Sequence, residues 1–245
     1  MFDRDCVVRI SHLSKFFARD GQHTLYRLLK GRLVGDNADS GSFAALNDIN
    51  LEIMRGEKLG LIGNNGAGKS SLLKVIAGLY APSSGEVRVT GEVTLLSGLG
   101  TGMLDELSVE ENTFLYGAIC GLERKKIKEN LREIIEWAEL QGFERAKLKT
   151  LSTGMNTRLA FSITRHIESD IVLMDEPLSA VDRNFRKKCE DVFENYKNND
   201  RTFVFASHDL EFVKKFCTRT LWLQKGRQLG FGDTDLVLQR YSEAK

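Results

Sequence analysis

The eight residues Gly63-Asn64-Asn65-Gly66-Ala67-Gly68-Lys69-Ser70 constrain this chain more than any other stretch. They fit the pattern G-x-x-x-x-G-K-S, and they sit between a short buried-strand pattern, Leu59-Gly60-Leu61-Ile62, and a helical pattern from Lys69 to Gly78. Glycines let successive backbone N–H groups turn inward and converge on one anion. The helix that follows adds the positive end of its dipole. Lys69 is spaced to reach the β- and γ-phosphates of a nucleoside triphosphate, and the Ser70 hydroxyl to ligate Mg²⁺.

The rest of the chain reads as the frame for such a loop. Ile171-Val172-Leu173-Met174 and Thr202-Phe203-Val204-Phe205 are apolar runs of buried-strand type. Ile49, Leu51 and Ile53 alternate with polar residues, as in a half-buried strand. Val7 to Ser11, Val87 to Val89 and Val93 to Leu95 read as short strands. Helical patterns cover Glu110 to Cys120, Lys125 to Leu140 and Ser152 to Ile167, the second amphipathic through Ile127, Leu131, Ile134, Ile135 and Ala138. The expected fold is α/β: a mixed, largely parallel sheet, an antiparallel β lobe, and a helical subdomain at about 110–167, in a single domain spanning 1–245. Gly21 to Ser42 reads as irregular. Its basic-apolar piece, Tyr26 to Lys30, is either a solvated loop or a contact for a partner or membrane surface.

Composition narrows the class. Lys plus Arg is 35 and Asp plus Glu 34, so bulk charge does not favour nucleic acid. No apolar run approaches the roughly 18 to 20 residues of a membrane helix. The four cysteines are widely spaced, without metal-ligand spacing. A membrane-spanning chain, a disulfide scaffold and a zinc finger are set aside, and a cytoplasmic location is expected.

A second acidic element follows. Ile171 to Met174 ends in Asp175-Glu176, at the C-terminal edge of a strand, where open parallel sheets bind ligands. Asp175 is expected to hold Mg²⁺ directly or through water, and Glu176 to polarise the water that attacks the γ-phosphate.

Leu151-Ser152-Thr153-Gly154-Met155 opens a helix, with Ser152 suited to cap it. It resembles the L-S-G-G-Q signature of ATP-binding-cassette ATPases and departs from it at Thr153 and Met155. Leu178-Ser179-Ala180-Val181-Asp182 looks like the D-loop of that family, and Ser207-His208-Asp209 like its switch histidine. The resemblance runs from about Val8 to Gly232. It implies a P-loop NTPase core that hydrolyses ATP as a head-to-tail homodimer. ATP would lie on Gly63, Asn64, Asn65, Gly66, Ala67, Gly68, Lys69, Ser70 and Ser71 of one copy. Ser152, Gly154 and Asp182 of the other copy would close over it. His208 would contact the γ-phosphate. An aromatic residue, Phe17 or its neighbour Phe16, would stack on adenine, with Phe17 favoured. Two integral-membrane permease subunits would hold the pair at the cytoplasmic face of the membrane.

The family usually carries a Gln between the phosphate loop and the signature, yet no Gln occurs here between Gln22 and Gln141. Leu95 to Met103 instead resembles the L-G-x-G-F segment of ABC ATPases that export polysaccharides. Ser152-Thr153-Gly154-Met155 resembles the S-S-G-M signature of that branch, and a long piece before Ala45 is typical of it. The implied cargo is a lipid-linked glycan of O-antigen or capsule type, with teichoic acid next. Another ABC transporter (drug, lipid or importer) and a non-transport ABC ATPase are the alternatives. Because the chain stops at Lys245, no C-terminal carbohydrate-binding domain is expected, and glycan recognition is assigned to the membrane partners.

Overall fold

The computed structural model describes residues 5–18, 42–178, 181–197 and 199–244. The piece Tyr26 to Lys30 and the D-loop residues Ser179 and Ala180 lie outside the described residues. In chain order the elements are β1 (Cys6–Ala18), β2 (Ser42–Met54), β3 (Lys58–Ile62), α1 (Lys69–Ile76), β4 (Ser84–Val89) and β5 (Val93–Ser97). Three helices follow, α2 (Val109–Ile119), α3 (Arg124–Trp137) and α4 (Thr153–Thr164). Strands and helices then alternate through β6 (Ile171–Asp175), α5 (Arg183–Lys197), β7 (Thr202–Ala206) and α6 (Leu210–Phe216). The chain closes with β8 (Arg219–Gln224), β9 (Arg227–Asp233) and α7 (Thr234–Glu243).

The main sheet has the order β5-β6-β7-β3-β8-β9, parallel except for the β8–β9 pair. Its strands are apolar on both faces because each face meets its own core. Val172, Met174, Phe203 and Phe205 point into a core shared with α2 to α6. Their neighbours Ile171, Leu173, Val204 and Ala206 point the other way, into a core shared with α1 and the antiparallel lobe. That lobe is a separate three-stranded sheet, β2-β1-β4. The expected α/β architecture is therefore present, and the stretch at about 110–167 is the helical region α2 to α4.

Two local readings need correction. The first strand does not stop at Ser11 but runs to Ala18. It passes register shifts against β2, where His12 (φ 53°) and Asp48 (φ 54°) both adopt left-handed backbone and His12 Nδ1 lies 2.8 Å from Asp48 Oδ1. Each bulge inserts a residue and reverses the in-out parity, so the period-two pattern is lost beyond Ile10 although Leu13 is fully buried. The sequence reading also left the β8–β9 hairpin unassigned. Lys225 (φ 48°) and Gly226 (φ 75°) form its two-residue loop, the positive-φ pair that matches strand twist. Gly78 (φ 73°) terminates α1 as expected, with Leu79 N–H donating to the Lys74 carbonyl at 2.9 Å.

One aromatic ring ties the helices to the sheet. Phe193 of α5 is 1% exposed, with Phe161, Phe205, Phe212 and Phe216 at centroid distances of 5.6, 5.5, 5.3 and 5.7 Å. The perpendicular arrangements with Phe161, Phe205 and Phe212 match the ring quadrupole, and Phe216 is tilted. Phe193→Ala should cost about 3–5 kcal/mol of unfolding free energy. Urea denaturation followed by circular dichroism checks this, and a loss under about 1 kcal/mol contradicts the bridging role.

Candidate functional site

The phosphate loop is shaped first by the protein's own packing. A Cβ on Gly63 would lie 2.1 Å from the Leu223 carbonyl oxygen, and one on Gly68 would lie 2.7 Å from the Ala45 carbonyl oxygen. Both glycines have positive φ, 144° and 110°. Only glycine fits there, with β8 on one side and β2 on the other. Gly68 is the N-cap of α1, and no side-chain hydrogen bond caps the helix start. The Lys69 ammonium is 7% exposed as a residue and donates to the carbonyls of Gly63 at 2.7 Å and Asn64 at 3.4 Å. These carbonyls curl the lysine over its own loop, with its charge aimed where an anion would sit.

A cleft of about 710 Å³ opens over this loop. Asn65, Gly66, Ala67, Gly68, Lys69, Ser70 and Ser71 form its floor. Asp175 and Glu176 border it from the end of β6, and Ser97 and Gly98 from the end of β5. The oxygen-bearing side chains of Ser70, Asp175 and Glu176 are hard ligands of the kind Mg²⁺ takes, so the residues present fit that ion. Asn64 lies at the other side of the loop, where its Oδ1 is 3.4 Å from the Tyr241 hydroxyl of α7.

Glu176 is held under strain. Its φ is 54°, unusual for a residue with a side chain, and its N–H donates to the Ala206 carbonyl at 2.8 Å. Its Oε2 lies 2.8 Å from His208 Nδ1. The sheet thus brings residues of two neighbouring strands, far apart in sequence, to one edge. The neighbouring Asp209 anchors the turn by capping α6, accepting from Phe212 N–H at 3.0 Å, and by pairing with Arg186. Burial pushes the Asp209 carboxyl up, but the bonds from Arg186 and Phe212 outweigh it and hold it below the ordinary range.

The signature residues form a second cluster. Ser152 caps α4, its Oγ accepting from Met155 N–H at 3.2 Å. A Cβ on Gly154 would be 3.7 Å from Asp182 Oδ2. Arg158 joins the two segments, donating to Asp182 Oδ2 from Nε at 3.0 Å and Nη2 at 2.8 Å, and to Glu139 Oε2 from Nη1 at 2.7 Å. Asp182 Oδ1 accepts from Phe185 N–H at 3.0 Å. None of Ser152, Gly154 and Asp182 lines the cleft of their own chain.

At the aromatic end, Phe17 packs edge-on against Tyr80 at 5.2 Å, with the Lys15 ammonium 5.0 Å from its ring. Phe16 is 44% exposed. Neither lines the cleft; Phe43, the register partner of Phe17 on β2, does. The sequence reading missed Phe43, Lys74 and Ser97, which reach the cleft through strand pairing and helix placement. No sequence signal marked Phe43, which is 47% exposed at the cleft.

A family model described as ABC transporter matches residues 46–179. A teichoic acids export ATP-binding protein, TagH, of Bacillus anthracis is 41% identical over 199 residues, 81% of this chain and 36% of that protein. An O-antigen export system ATP-binding protein, RfbB, of Klebsiella pneumoniae is 34% identical over 219 residues, 89% of this chain and 85% of its own. The chain spans 36% to 56% of the length of four of the relatives it matches, three TagH proteins, the Bacillus anthracis one included, and an RfbB protein. Among solved structures, the dimeric post-hydrolysis state of the ATP-binding cassette MJ0796 bound to ADP and Pi shares the fold, with a TM-score of 0.72 at 21% identity, covering 93% of this chain and 98% of that one. Phosphate loop, strand-end carboxylates, capped signature helix and matched relatives converge: the chain belongs to the ABC transporter family.

Proposed function

We propose that this chain is the ATP-hydrolysing subunit of an exporter for a lipid-linked polysaccharide of O-antigen or capsule type. The observation that carries the two-copy mechanism is the separation of its two anion-binding ends. The phosphate loop lines a cleft, whereas the exposed N-terminus of the signature helix lies outside it. A helix start offers unpaired N–H groups and a positive dipole end. A second copy, placed head to tail, brings its Ser152 and Gly154 to the triphosphate held by Lys69, and the same contact repeats in reverse.

In this reading ATP enters with its phosphates on Gly63 to Ser71. Lys69 then exchanges its bonds to loop carbonyls for bonds to phosphate oxygens. Ser70 and Asp175 hold Mg²⁺, which when bound supplies positive charge against the phosphates. Glu176 takes the proton of the attacking water, and His208, already against Glu176, keeps that carboxylate aimed. The Phe43 ring is the cleft's apolar wall for the base, beside Phe17. Hydrolysis removes the anion shared between copies, so the closed state loses its differential stabilisation and opens.

The glycan cargo is supported by the export functions in the names of the relatives. No helix among the described residues is long and apolar enough to cross a membrane. We assign the crossing to two permease subunits, which hold the pair at the cytoplasmic face and bind the glycan themselves.

Glu176→Gln should retain nucleotide binding while phosphate release falls at least about 100-fold. A fluorescent-nucleotide titration beside a phosphate-release assay checks both, and unaltered turnover removes Glu176 as the base. With ATP, the Glu176→Gln protein should shift towards a dimer in light scattering, and adding Ser152→Arg should abolish the shift. A monomer under saturating ATP, with membrane partners present, counts against the sandwich. For the cargo, deletion of the gene should leave glycan accumulated inside the cell. Normal surface glycan in the deletion strain assigns the subunit to another cargo.

A further inference from the structure

The end of β5 reaches the same edge as Asp175, and strand parity fixes how. β5 and β6 are parallel, with Val93 opposite Ile171, Leu95 opposite Leu173 and Ser97 opposite Asp175. Val93, Leu95, Ile171 and Leu173 all pack on the α1 side of the sheet. Leu96 and Met174, between them, pack on the other side. Alternation therefore puts Ser97 and Asp175 on the α1 face together, about 5 Å apart across neighbouring strands. Both line the cleft, with Ser70 across from them. Ser97 is exposed at its position, so its hydroxyl is available to a ligand in the cleft.

The chain then turns sharply, and the turn is fixed from the helical side. Gly98, Gly100 and Gly102 have φ of 83°, 82° and 98°. Thr101 Oγ1 donates to the Ser97 carbonyl at 3.0 Å, closing the turn on the serine itself. Leu99 and Met103 of the turn pack against the helical core that holds the buried Tyr116 of α2. A Cβ on Gly102 would lie 2.7 Å from Ile119 Cδ1, and one on Gly100 would lie 3.6 Å from Ala160 of α4. Ser97 is thus the last residue of the sheet before a short turn clamped to both α2 and the signature helix.

We propose that Ser97 is a positioning residue for the metal–nucleotide complex: its hydroxyl accepts a hydrogen bond from a water of the bound divalent ion, beside Asp175. A hydroxyl is short, so contact through a water fits its place one strand away from the carboxylate. The outer hydrogen-bond partners of metal ligands set affinity as well as orientation. Because the Ser97 carbonyl is bonded to Thr101, a displacement of Ser97 is passed to a turn packed on α2 and α4. This inference rests on the reading of the cleft as a metal–nucleotide site.

Mn²⁺ serves as the probe, followed by electron paramagnetic resonance in the presence of a non-hydrolysable ATP analogue. Ser97→Ala should weaken Mn²⁺ binding in the nucleotide complex about tenfold, the low end for loss of an outer-sphere partner. Affinity for the analogue without metal should stay the same, and Ser97→Thr, which keeps the hydroxyl, should bind Mn²⁺ as the unaltered chain does. Equal Mn²⁺ affinity in Ser97→Ala overturns the proposal, as does an equal loss in Ser97→Ala and Ser97→Thr. Failure of the unaltered chain to bind the Mn²⁺–nucleotide pair overturns the reading of the cleft itself, a result distinct from either.

Discussion

The burial of the parallel sheet on both faces is the constraint on which the site depends. With two cores, each central strand must alternate its side chains strictly between them, as Phe203 and Phe205 alternate with Val204 and Ala206. A one-residue slip in any strand would exchange the two sets and put large rings where small residues fit. Register is therefore fixed, and so is the face on which the first polar residue after each run emerges. Asp175 emerges on the α1 side beside the phosphate loop because Ile171 and Leu173 do. The chemistry at the edge is aimed by the packing beneath it.

The same constraint explains what the sequence disclosed. The phosphate loop was legible because its determinants are local: glycines, a lysine and a serine at fixed spacing after a strand and before a helix. Asp175 and Glu176 were legible because they end an apolar run. Ser97 and Phe43 were not: the glycines after Ser97 marked a segment but not the serine, and nothing near Phe43 marks it. They reach the cleft through pairing with β6 and β1, partners 78 and 26 positions away in register. The extent of β1 was hidden for a related reason. A pattern of period two carries no information across an inserted residue, and the bulges at His12 and Asp48 insert one on each strand. The adenine-side expectation at Phe17 followed family order along the chain; the structure places Phe17 on Tyr80 and Phe43 on the cleft.

The signature cluster raises a different question, namely why an exposed helix start should be held so firmly. Arg158 spans three segments, through Asp182 after β6, Glu139 after α3 and its own helix α4. Its guanidinium also lies 5.1 Å from the Phe185 ring. Its side chain is 25% exposed, so the pairs are partly shielded from solvent. Ion pairs of this kind add little stability singly, and a planar fork with several donors adds geometric definition instead. Asp182 is fixed further by the Phe185 N–H.

That definition matters if two copies are to share one triphosphate. Association loses rotational and translational freedom, and any loop ordered at the interface adds to the loss. A helix N-terminus already capped by Ser152 and tied through Arg158 to Asp182 needs little reordering when it meets an anion. The free energy of the shared charge can then go to closing the pair rather than to shaping its surfaces. In the proposed pair the signature cluster and the phosphate loop are complementary halves of one device. Lys69 is pre-placed by its own carbonyls and the signature by Arg158, so in the proposed pair the nucleotide is the variable element.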